Sequence, residues 1–200
     1  MSEEKKIEPL LKKSVGRLIA SQALCIYYNE NNEDKDLLNI LNSINKYYVT
    51  EHFTDEDGDN IYLKVYNSNF VLDLINSVIR NVEEYDDLIN EFLDKQDTTG
   101  TIDEVLLQVF RLAIYELKSG KTDKNIIINE YTDIVAEFFD GIYITFANGI
   151  LDNIATYLTT GEKKIHNNNK VKTEIIHKPK TKQNRKTIKL KIKKEEENGK

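Results

Sequence analysis

The sequence predicts an all-α fold, a bundle of about seven helices. Three observations carry this. Apolar residues recur at spacings of three and four along most of the first 160 positions, which is the period of one helix face. Only two prolines and eight glycines interrupt 200 residues, so little breaks a long helix. No alternating strand-helix-strand order appears, which argues against a parallel sheet.

The first helix is expected from Pro9 to Tyr28, with Leu10, Leu11, Val15, Leu18, Ile19, Ala23 and Ile26 on its apolar side. The second runs from about Asp34 to Val49, on Leu37, Leu38, Leu41 and Ile44. The acidic stretch 51–60, with Asp57-Gly58, reads as a loop. A third helix begins at or just before Asn67 and carries Phe70, Val71, Leu74, Val78 and Ile79. A short fourth covers Val82 to Leu93. Thr101-Ile-Asp-Glu104 has the capping-box pattern, so the fifth helix is expected to start with Thr101 as its cap and to stop at Gly120.

The sixth helix spans Lys124 to Phe139. Ile126-Ile-Ile128 alone fits a strand, but Ile134, Val135 and Phe138 continue at helical spacing, and Gly141 is expected to close the element. The seventh holds a conflict. Asn148-Gly149 is a strong hairpin signal, yet Phe146, Ala147, Ile150, Leu151, Ile154, Ala155 and Leu158 keep helical spacing around it. A glycine inside a helix costs about 1 kcal/mol relative to alanine. The expectation is that Gly149 permits close helix packing and that Asn148 caps or bridges backbone within the bundle.

Charge divides the chain in two. The formal net charge is -6, but residues 161–200 carry thirteen Lys and one Arg against five Glu, or +9, which leaves -15 for residues 1–160. The expected organisation is a helical domain over 1–160 and a lysine-rich, largely disordered tail over 161–200. Within the tail, Thr187–Lys193 alternates strictly, a strand template.

Other classes are disfavoured. One cysteine, Cys25, rules out an internal disulfide and a cysteine-based zinc site, and is read as a buried small residue in a reducing compartment. His52, His166 and His177 show no metal spacing. No phosphate-cradling glycine loop, nucleophile elbow or paired catalytic motif is present, so no cofactor and no enzymatic activity are expected. No apolar run approaches the ~18–20 residues that span a bilayer, and no signal peptide is read at the N-terminus.

Three ordered motifs carry a resemblance. Arg111-Leu-Ala-Ile-Tyr-Glu-Leu117, Ile128-Asn-Glu130 and Phe146-Ala-Asn-Gly-Ile-Leu-Asp152 look like the C-terminal half of the NusB family of transcription antitermination factors, with Phe146 sixteen positions after Glu130 as in typical members. Arg17-Leu-Ile-Ala-Ser-Gln-Ala-Leu24 resembles the family's first helix. The resemblance covers about residues 12–158 and marks the chain as a divergent member.

The resemblance implies an all-α fold of two packed helical subdomains in a non-catalytic bacterial cytoplasmic protein. It implies binding of single-stranded boxA-like RNA together with a small-subunit ribosomal protein, NusE, and joining of the RNA polymerase elongation complex during ribosomal RNA transcription. Members occur as monomers and as homodimers. The alternative is a protein-interaction scaffold of the transcription or ribosome-assembly machinery without sequence-specific RNA binding.

Carried onto this sequence, the RNA-contacting positions are Lys12, Lys13 and Arg17 of the first helix, with Phe146. Ser14 and Val15 stand where further arginines are common. Lys186, Lys189, Lys191, Lys193 and Lys194 of the tail are expected to add phosphate contacts through counterion release. Arg111, Tyr115, Glu116, Asn129, Glu130, Asn148, Gly149 and Asp152 form the structural motif, in which the order Arg111, Glu116, Glu130 suggests an ion pair. Two departures stand out: Cys25 replaces the aromatic that usually follows Gln-Ala-Leu, and Leu106 replaces an acidic residue linked to partner contact.

Overall fold

The computed structural model of the protein describes residues 9–29, 35–51, 66–93 and 97–163, with the side chains of 9–12 and 47–51 outside the description. Seven helices and no strand occur among the described residues. They are α1 (Pro9–Tyr28), α2 (Leu37–Glu51), α3 (Ser68–Arg80), α4 (Val82–Asn90), α5 (Glu104–Ser119), α6 (Lys124–Phe138) and α7 (Gly141–Thr160).

The apolar stripes explain the packing. On α3, Val71, Leu74, Ile75 and Val78 are buried, the one-sided pattern of a surface helix. On α5, every residue from Leu106 to Ile114 is buried. A helix buried on every side belongs at the centre of a bundle, and α5 does contact α1, α3, α4, α6 and α7. Helices α1, α2 and α3 pack as one group, α6 and α7 as another, and α5 joins them. This is the expected pair of subdomains.

Several boundaries differ from the sequence reading. The capping box at Thr101 does not form. Asp103 caps α5 instead, accepting from the Val105 N–H at 2.8 Å, while the Thr101 hydroxyl closes a turn with Thr98. Asp103 is the better cap because it stands immediately before the first helical residue. Gly141 does not close α6. The sixth helix ends at Phe138, with extended Phe139 as its cap, and Gly141 opens α7. Gly120 does end α5, in the left-handed conformation at φ 63° that favours glycine. Helix α2 starts three residues late, at Leu37, and α4 stops at Asn90. Ile126–Ile128 lies within α6. The 51–60 loop beyond Glu51 and the Thr187–Lys193 strand template lie outside the described residues.

The glycine that allows close helix approach is Gly16, not Gly149. A Cβ on Gly16 would stand 3.1 Å from Phe70 Cδ1 and 3.3 Å from Val71 Cγ2, so a side chain there would make those two α3 residues give by a few tenths of an ångström. A Cβ on Gly149 would meet nothing within 4 Å. Gly149→Ala should therefore raise stability by about 1 kcal/mol, the helix-propensity difference, read as a higher urea midpoint. A midpoint that falls would restore a packing role for Gly149.

Candidate nucleic-acid interface

Arg17 is buried, at 2% exposure. Its Nε and Nη2 donate to the two carboxylate oxygens of Glu116 at 2.7 and 3.1 Å, and Nη1 donates to Glu130 at 3.0 Å. The guanidinium also lies 5.7 Å from the Phe70 ring centroid and 5.9 Å from that of Tyr131. Burial works against the charged form, but the Glu116 hydrogen bond and charge outweigh it, and the pKa is raised. The expectation that Arg17 faces RNA phosphates is thus corrected: all its donor nitrogens are engaged inside the bundle, tying α1 to α5 and α6.

The expected ion pair among Arg111, Glu116 and Glu130 is corrected as well. Arg17 takes both glutamates. Arg111 pairs bidentately with Asp86 of α4, Nε at 2.7 Å and Nη2 at 2.6 Å, and its guanidinium covers the Tyr28 ring at 4.9 Å. No motif signalled Asp86. Its partnership depends on how α4 lies against α5, which local periodicity does not encode. Tyr115 donates to Asp73 of α3 at 2.5 Å, a bond that pushes the phenol up to about 12. Three motif residues therefore act as staples between α5 and its neighbours.

Other candidates are more open. Lys13 is exposed, with its ammonium 5.9 Å from the Phe70 ring centroid. The Lys12 side chain and Lys186, Lys189, Lys191, Lys193 and Lys194 lie outside the described residues, as do all three histidines. Phe146 is half-buried, its ring tilted against fully buried Phe110 with centroids 6.1 Å apart. Asn129 and Asn148 are exposed, and Asp152 is half-buried. The reading of Asn148 as a cap or bridge inside the bundle is corrected, because its side chain faces outward. Asn148-Gly149 does continue α7, so the apolar stripe overrides the turn signal.

The two departures have structural outcomes. Leu106 is fully buried, so nothing at that position reaches a partner. Cys25 is half-buried by surface, and burial pushes its thiol up to about 12, which leaves it protonated and a poor nucleophile at neutral pH.

The geometry defines an all-α bundle whose candidate contacts are exposed helix positions flanking a heavily stapled central helix. The NusB family model matches residues 15–156, and the chain belongs to that family. The transcription antitermination protein NusB of Rickettsia akari (strain Hartford) is 31% identical over 145 residues, spanning 72% of this chain and 91% of that protein. The Rickettsia typhi (strain ATCC VR-144 / Wilmington) counterpart is 32% identical over the same length. Among solved structures, T. maritima NusB aligns with a TM-score of 0.54 at 28% identity, over 72% of this chain and 90% of that one. The antitermination factors NusB and NusE in complex with double-stranded RNA give a further match, with a TM-score of 0.55 at 18% identity over 72% and 96% of the two chains, a likeness of fold. No described helix is long and apolar enough to cross a membrane.

Proposed function

We propose that the chain is a non-catalytic, RNA-binding transcription antitermination factor of bacterial cytoplasm, acting with a NusE-like ribosomal protein and the RNA polymerase elongation complex. The observation that carries this reading is the family match over residues 15–156, with relatives named as transcription antitermination proteins covered over 91% of their length. The solved NusB–NusE complex with RNA supports the choice of partners. In this reading residues 1–160 form the binding domain. Lys12, Lys13 and the half-buried Phe146 receive boxA-like single-stranded RNA, with bases stacking on the exposed part of the ring. The tail over 161–200, including Lys186, Lys189, Lys191, Lys193 and Lys194, adds phosphate contacts that carry no sequence information.

Titration of boxA-like and scrambled RNA at several salt concentrations tests it. The boxA-like RNA should bind more tightly at every concentration, and equal affinity would sink sequence-selective binding. Deleting 161–200 should flatten the dependence of log affinity on log salt; an unchanged slope would refute the tail's role.

One observation favours a second reading. With Arg17 consumed by Glu116 and Glu130, α1 offers a thinner basic face. A scaffold that recruits ribosomal or polymerase components without RNA selectivity would still pull them down while binding neither RNA.

A further inference from the structure

Among the described residues, no helix covers the outer face of α4. Residues 82–91 contain five carboxylates, Glu83, Glu84, Asp86, Asp87 and Glu91, and no basic residue. The inner side packs on α5 and α3 through buried Tyr85 and Ile89. Two carboxylates are answered from α5, Asp86 by Arg111 and Glu84 by Lys118. Glu83 and Asp87, one turn apart, are exposed and have no cation partner among the described residues.

The third contact points to an occupant. Glu91 pairs with Lys163 at 2.8 Å, and the Lys163 ammonium lies 5.8 Å from the centroid of the Phe92 ring. Lys163 is the last described residue, and the sequence that follows it, 164–200, holds twelve Lys and one Arg against four Glu, or +9. From Glu91 back to Glu83 is about 12 Å along the helix axis. An extended chain covers that in about four residues. Lys164, Lys170 and Lys172 are thus within reach of a face that already holds the preceding lysine.

We propose that the outer face of α4 is the docking surface for the chain's own lysine-rich segment, residues 164–200, with the Lys163–Glu91 pair as its first contact. Tethering supplies the high local concentration that exposed ion pairs, each weak, need in order to matter. The docked segment lies against an acidic helix at the far end of α7 from Phe146, which stands fourteen residues and about 21 Å before the helix end at Thr160.

Zero-length carbodiimide crosslinking of the full chain, with peptide mapping and no RNA present, tests the contact. Because RNA is absent, failure here leaves the RNA-binding reading standing. The expected result is crosslinks from lysines of 164–200 to Glu83, Asp87 and Glu91 at low salt, lost near 1 M salt, where the Debye length is about 3 Å. In the Glu83→Gln, Asp87→Asn, Glu91→Gln variant, with its circular dichroism unchanged, tail crosslinks to the remaining acidic residues of α4 should fall about tenfold, the loss of three exposed ion pairs. An equal mixture of light and isotope-labelled protein should give crosslinks within one copy. Crosslinks spread over other acidic surfaces, crosslinks joining light to labelled chains, or none from the tail at all would each overturn the proposal.

Discussion

Arg17→Met is expected to destabilise the fold by about 3–5 kcal/mol, because it leaves the Glu116 carboxylate buried without its cation. Glu116 is 5% exposed and takes two of the three hydrogen bonds that Arg17 donates. The loss is large against the ~5–15 kcal/mol that holds an ordinary domain together. Urea unfolding measures it as a fall in midpoint at constant slope. The double variant Arg17→Met, Glu116→Leu should recover most of the loss, since exchanging a buried ion pair for apolar groups is often neutral or stabilising. A single variant within about 1 kcal/mol of wild type would mean that the pair is solvated as surface pairs are.

Phe110→Ala should cost a similar ~3–5 kcal/mol by a different route. The ring is fully buried on the central helix, tilted against Phe146 of α7, and its removal leaves a cavity in a close-packed interior. Phe146→Ala should cost less, because Phe146 is only half-buried and already faces water on one side. The two midpoints, measured side by side, decide the point. Equal losses would mean that Phe146 is a core residue with no ring face left for a base.

Much of the fold was legible because helical periodicity is a local signal. Helix α1 begins and ends where its apolar stripe does, and the stripe around Asn148-Gly149 outweighed a strong turn dipeptide. The errors were at caps. Thr101 and Asp103 are both good cap residues two positions apart, and the choice between them rests on where the chain turns after Thr98. The site was less legible. Arg17, Lys12 and Lys13 read alike as basic positions of one helix, yet Arg17 points into the bundle because its long fork meets two carboxylates brought from α5 and α6. No local pattern reports a contact across 99 and 113 residues of sequence. Gly16 escaped notice for the same reason: its role is set by Phe70 and Val71 on another helix.

The burial of α5 on every side has a consequence for how the protein breathes. Its backbone amides are shielded by helices from both subdomains, and its staples run to α1, α3 and α4 through Glu116, Tyr115 and Arg111, with Arg17 of α1 carrying the tie on to Glu130 of α6. An opening that frees one subdomain leaves α5 covered by the helices of the other. Hydrogen exchange along Leu106–Ile114 then requires unfolding of the whole molecule, and the exchange rate of that single helix reads out the global stability directly.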